Sequence, residues 1–345
     1  MTLAATLVAC GNKGYVINGT MEAKDSTLVY LNGESGLIDS TYVMGGKFTF
    51  KGVKDTAAMA SISSGQTMAQ IVLENGKIDV SLGENSKVGG TALNDSLQGY
   101  MDKTLVIANK MKALNEKYQA DTTQAGKKAA QSTYDEIYNE YESMTSKTID
   151  ANIGNILGAE LLKMNYNAFE SARLDSLLAK LPANIMAKDE TLKKIKEAND
   201  KVLTTSAGKK FIDFEMNTPE GKPARLSDLM AKNKVTLIDF WASWCGPCRA
   251  EMPNVVAAYA AFKDKGFGIV GVSLDSDAAA WKQAIKDLKI TWPQVSDLQG
   301  WKNAAAALYG VNSIPCTLLV GQDGVIIARG LRGEELSKKL GELLK

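Results

Sequence analysis

A chain of 345 residues exceeds one small globular unit and is expected to divide into two or three compact parts, each burying its own core. Its 40 Lys and Arg balance 39 Asp and Glu, leaving no basic field for nucleic acid, and the absence of histidine excludes Ser-His-Asp, Cys-His and His-ligated metal chemistry. Four cysteines, two of them in one CxxC, are too few for a disulfide-stapled scaffold and point to chemistry instead.

The first residues form a short apolar run ending in Leu7-Val8-Ala9-Cys10, followed by polar Gly11-Asn12-Lys13-Gly14. The run resembles a bacterial lipobox, with small residues just before the cysteine. That resemblance implies that Cys10 carries a lipid anchor, that residues 1–13 are signal remnant and tether, and that the protein faces the periplasm, attached to the membrane by lipid alone. The competing reading is an apolar terminus with an incidental cysteine. No other stretch of sequence reads as a membrane span.

Residues 14–93 are strand-like, with short alternating runs separated by Gly and Asn. Lys47-Phe48-Thr49-Phe50-Lys51 alternates after a Gly45-Gly46 turn, and Asn75-Gly76 between two alternating runs predicts a type I′ hairpin. An antiparallel β-sandwich is expected. Ile38-Asp39-Ser40, Gly46 to Gly52 and Leu73 to Ile78 resemble a domain of uncharacterised function that precedes thioredoxin modules in Gram-negative lipoproteins.

The period changes to that of helices over residues 94–207. Leu93, Leu97, Tyr100, Met101, Leu105, Ala108 and Met111 share one stripe, and Tyr134, Ile137, Tyr138, Tyr141 and Met144 another. Packed helix faces explain these stripes better than a haem or ligand box, so the segment reads as a helical spacer. Thr204 to Gly208 reads as a linker. Over residues 208–345 strand and helix signals alternate: strand 234–240 runs into the CxxC and a helix, then come strand 267–273, helix 278–288, a short helix, and a hairpin around Gly321-Gln322-Asp323-Gly324. That order is a thioredoxin fold, within a multi-domain α+β and α/β chain.

Cys245 closes a strand and opens a helix, where free backbone N–H groups and the helix dipole favour a thiolate. Cys245 is the expected nucleophile, and Cys248, one turn on, the resolving thiol. A CxxC can also be half of a zinc site, but no second ligand pair at similar spacing accompanies it, so no metal is expected. The redox-active Cys245-Cys248 disulfide is the only cofactor this chemistry needs. Asp239, inside the apolar strand, is a candidate base with a raised pKa. Glu251 either joins the proton path or is a solvated acid favouring the helix dipole.

The run Asp239-Phe240-Trp241-Ala242-Ser243-Trp244-Cys245-Gly246-Pro247-Cys248 is similar to thioredoxin. Glu251, Pro253 and Ile314-Pro315 resemble the TlpA/ResA branch, whose members are membrane-tethered thiol-disulfide oxidoreductases. The resemblance implies a cis-proline at Pro315 that leaves the Ile314 backbone free to pair with a client, with Trp244, Gly246 and Pro247 also at the client surface. It implies disulfide-bearing client proteins, with cytochrome c apoproteins as one class, and a membrane electron donor of the thiol-disulfide type. Gly246-Pro247 is thioredoxin's dipeptide, which predicts a reductant. Cys316 stands where the family has Thr and is expected to be a small buried residue, the competing reading being a third thiol that forms an off-pathway disulfide with the dithiol or helps to hold a metal. A thiol-dependent peroxidase is the alternative enzyme, although Ile238 and Ala242 occupy positions where that chemistry needs Pro and Thr or Ser. A partner-binding protein with an accessory redox module is the other alternative.

Overall fold

The described residues open with strands β1 (Tyr15–Met21), β2 (Leu28–Gly33), β3 (Gly36–Tyr42), β4 (Lys47–Gly52), β5 (Ala58–Ser64), β6 (Thr67–Leu73), β7 (Gly76–Leu82) and β8 (Lys87–Gly89). The computed structural model describes residues 14–121 and 123–345, so Cys10 and the expected tether over 1–13 lie outside the described residues. Alternation puts Ile17, Phe48, Phe50, Ile62, Ile78 and Val80 on buried faces of two four-stranded sheets, ordered β4-β1-β7-β8 and β3-β2-β5-β6. Gly19 lies opposite Phe48, where a Cβ would stand 1.9 Å from the ring, so no larger residue fits.

Two expectations for these strands are corrected. Asn75-Gly76 does not close a hairpin: β6 pairs with β5, whereas β7 crosses to the other sheet and lies parallel to β1. The sandwich is therefore mixed and not wholly antiparallel. Asn75 instead grips Lys54, accepting from its N–H at 2.9 Å and donating to its carbonyl at 2.7 Å. The turn with positive φ at both central residues is Gly45-Gly46, closed by a Met44-Lys47 bridge.

Helices α1 (Ala92–Ala120), α2 (Gln124–Asn152), α3 (Ile156–Asn165), α4 (Ser171–Leu178), α5 (Ala183–Lys188) and α6 (Glu190–Thr204) follow. Thr91 caps α1, and buried Asn94 bonds both backbone groups of Val72 on β6, which joins helix to sheet. The expected stripes pack only in part. Leu97, Tyr100 and Ile137 are buried, but Leu105, Tyr134 and Tyr138 are exposed, the last two stacked on each other. At 29 residues each, α1 and α2 run about 43 Å.

Two compact units divide between Lys193 and Lys194, inside α6. The helical segment is thus no separate spacer: its residues up to Lys193 group with the strands, and the remainder of α6 with the C-terminal unit. The expected linker is packed as well. Thr205 is fully buried, donating to the Tyr309 carbonyl at 3.1 Å and accepting from Arg329 at 2.9 Å.

The C-terminal unit contains β9 (Glu215–Asn217), β10 (Pro223–Arg225), α7 (Leu226–Met230), β11 (Val235–Trp241), α8 (Gly246–Phe262), β12 (Phe267–Ser273), α9 (Ala278–Asp287), β13 (Gln294–Val295), α10 (Ala304–Leu308), β14 (Cys316–Gly321), β15 (Ile326–Arg329) and α11 (Gly333–Leu343). Its five-stranded sheet runs β13-β12-β11-β14-β15, with β12 parallel and β14 antiparallel to central β11. All seven residues of β11 are buried, as a largely apolar run broken by Thr236 and Asp239 anticipates for a central strand. This is the thioredoxin fold.

Candidate active site at the end of strand β11

β11 ends at Trp241, and a three-residue turn delivers Cys245 as the N-cap of α8. The turn is held by Asp275, which is 1% exposed and accepts from the Ser243 N–H at 2.9 Å, the Ser243 hydroxyl at 2.5 Å and the Ser273 hydroxyl at 2.7 Å. Pro247 in the first helical turn has no N–H to leave orphaned. Cys245 Sγ accepts from the Cys248 N–H at 3.1 Å, so the helix start offers that sulfur a backbone donor and its positive dipole end. The two sulfurs are joined as a disulfide with Cα atoms 5.3 Å apart.

Both cysteines are buried, at 4% for Cys245 and 2% for Cys248, while Trp244, Gly246 and Pro247 around them are exposed. Access to Cys245 is therefore narrow. Its sulfur lies 3.7 Å from the carbonyl oxygen of Ile314, and the Ile314-Pro315 peptide is cis. Trp301, which sequence reading did not single out as a site residue, stacks obliquely on Trp244 with centroids 6.0 Å apart. Each is about half exposed, so a pair of aromatic rings stands next to the dithiol.

Asp239 is 4% exposed, between Gly271 of β12 and Thr317 of β14. Burial pushes its carboxyl up to about 7, the negative charge of Glu251 adds to this, and Arg332 opposes it. The carboxyl can therefore exchange protons near neutrality. Glu251 proves to be more than a solvated first-turn acid. Its Oε1 accepts from the Gly333 N–H at 2.6 Å and its Oε2 from Asn254 at 2.9 Å, so it ties α8 to the first turn of α11. Replacing Glu251 by Ala is expected to cost about 1–2 kcal/mol in urea denaturation, as losses of helix caps do, whereas Gln retains an acceptor and most of the stability. Equal stabilities of Ala and wild-type protein would remove the tie.

Cys316 is a half-buried free thiol, and burial raises its pKa. It is a poor thiolate, in keeping with a filling role. Asp275, Trp301 and Arg332 escaped the sequence because each meets the site only through long-range contacts. A polar residue just after a buried strand, as Asp275 is, was the one available signal.

A thioredoxin fold whose dithiol caps a helix directly after a strand carrying a buried carboxyl defines a thiol-disulfide oxidoreductase. Residues 207–329 match the AhpC/TSA family, and residues 15–97 match a domain of unknown function, DUF4369. ResA thiol-disulfide oxidoreductase of Bacillus thuringiensis subsp. konkukian is 33% identical over 138 residues, covering 40% of this chain and 76% of that protein. The ResA protein of Bacillus subtilis is 30% identical over 122 residues, covering 35% and 65%. A solved C-terminal domain of a putative thiol-disulfide oxidoreductase from Bacteroides thetaiotaomicron is 35% identical over 41% of this chain and 97% of its own, with a TM-score of 0.38. The chain belongs to the ResA-like thiol-disulfide oxidoreductases, with a DUF4369 domain ahead of the catalytic unit.

Proposed function

We propose that the protein reduces disulfides of exported proteins through a mixed disulfide on Cys245. The supporting observation is the position of Cys245 Sγ, which caps α8 and lies beside the Ile314 carbonyl at the cis-proline. With the dithiol reduced, the Cys245 thiolate attacks one client sulfur, the client S–S bond breaks, and the other client sulfur leaves as a thiolate. Cys248 then gives its proton to Asp239 and attacks Cys245 Sγ. The second client sulfur leaves, and the two electrons passed to the client remain balanced by the Cys245-Cys248 disulfide. Ile314 offers backbone to an extended client segment, and the exposed Trp244-Trp301 pair offers apolar contact beside it.

Repeated turnover then needs an electron donor of the thiol-disulfide type at the membrane, and the lipobox resemblance at Cys10 supports a lipid-anchored, periplasm-facing protein. Among the described residues no helix is long and apolar enough to cross a membrane. The peroxidase reading is weaker because Ile238 and Ala242 present buried apolar side chains where that chemistry needs Pro and a hydroxyl. Direction is tested by the reduction potential: Gly246-Pro247 leads us to expect a value near the thioredoxin level of about −270 mV in glutathione or dithiothreitol equilibrium. A potential above about −180 mV overturns the reductant assignment.

A further inference from the structure

The segment between β15 and α11 lies along the redox site and is pinned at four points. The Gly330 N–H donates to the Thr317 carbonyl at 2.8 Å, and the Thr317 hydroxyl donates to the Leu331 carbonyl at 2.9 Å. Arg332 Nη2 donates to the Pro315 carbonyl at 2.5 Å, and the Gly333 N–H donates to Glu251 at 2.6 Å. Thr317 is the register partner of Asp239, and Pro315 carries the cis bond next to Cys245. Gly330 and Gly333 both have positive φ, +84° and +51°, a conformation in which a side chain is strained. One short strap therefore touches the cis-proline, the strand opposite the buried acid, and the second acid.

We propose that Arg332 is a positioning residue of this site: its guanidinium holds the carbonyl of cis-Pro315 and sets a positive charge against Asp239, countering Glu251, so that it governs the proton step of exchange. The charged groups acting on Asp239 are Glu251 from α8 and Arg332 from the strap, while Asp239 in turn adds to burial in raising the pKa of the Cys316 thiol on β14, which Arg329 and Arg332 lower. Glu251 disfavours the ionised carboxyl and Arg332 favours it. Because Asp239 must be ionised to take the proton of Cys248, loss of the Arg332 charge moves that step to higher pH. Arg332 is itself exposed, so solvent moderates the effect and its replacement is expected to leave the fold intact.

The inference rests on the exchange chemistry of the dithiol and not on its direction in the cell. The test is stopped-flow reaction of the reduced protein with Ellman's reagent. Attack by Cys245 releases a first nitrothiobenzoate, and attack by Cys248 on the resulting mixed disulfide releases a second. Across pH, Arg332→Gln is expected to shift the midpoint of the second phase upward by roughly half a unit to one unit, slowing it about threefold near pH 7. The first phase stays within about twofold, and Arg332→Lys restores the wild-type midpoint. A variant with altered circular dichroism is replaced by Arg332→Ser and read by the same phases. A wild-type second phase without a midpoint overturns the role of Asp239 and this inference with it. A wild-type midpoint left in place by Arg332→Gln, or not restored by Arg332→Lys, overturns the inference alone.

Discussion

Cys248→Ser is expected to abolish turnover while leaving clients covalently attached to Cys245. Serine is nearly isosteric at this buried position, so the fold and the Cys245 helix cap are retained. Without a second thiol, the mixed disulfide has no internal route to resolution and persists. Multiple-turnover reduction of insulin is expected to fall by roughly 10²-fold or more, whereas the first phase with Ellman's reagent retains near wild-type amplitude and the second disappears. Non-reducing gels followed by mass spectrometry identify the captured clients. Adducts that map to Cys316, or an unchanged turnover, would displace Cys248 from the resolving role. The Cys245→Ser protein should capture nothing.

Asp239→Asn is expected to stabilise the oxidised protein while slowing resolution. An aspartate in the unfolded chain titrates near 3.9, but in the fold burial lifts it to about 7. Between those values the native state binds more protons than the unfolded one, so this group makes stability fall as pH rises from about 4 to about 7. The cost is on the order of 4 kcal/mol and is complete above the folded value. Urea denaturation should therefore show Asp239→Asn more stable than wild type by that order at about pH 8, with the advantage vanishing near pH 4. A pH-independent difference would mean that something other than ionisation of Asp239 separates the two proteins. In exchange kinetics the same variant should slow the second Ellman phase by roughly 10²-fold, the lower end of general-base contributions, and the first phase much less. Equal slowing of both phases refutes the base role. If both results hold, strand β11 carries a residue that trades stability for a proton acceptor.

The CxxC, the strand before it and the helix after it were legible because each is a local signal: seven residues of continuous burial, then a capping position, then Pro at the first turn. Asp239 stood out for the same reason, as an acid in an apolar run. Glu251 was legible as a position but not as a contact. Its partner, Gly333, lies on another helix, and only folding brings the two together. The Asn75-Gly76 turn misled because turn propensity is a property of two residues, whereas the partner of β7 is β1, chosen by which sheet face buries Ile78 and Val80. Leu105 and the stacked Tyr134-Tyr138 pair misled in the same way, since a stripe shows that a helix has an apolar side but not that anything covers all of it.

By itself the sequence determined which groups are available for the proposed chemistry: without histidine, the candidates are two thiols of a CxxC set at a helix start and an acid in the apolar strand just ahead of them. Those features arise from residues adjacent in the chain, where capping and periodicity act. Tertiary structure alone decided what surrounds the sulfurs. The Ile314 carbonyl beside Cys245, the Trp301 ring against Trp244, the Asp275 clamp on Ser243 and the opposed charges of Glu251 and Arg332 at Asp239 are long-range pairings. Their reach and strength follow from burial and from which elements pack together, which no local stretch of residues encodes.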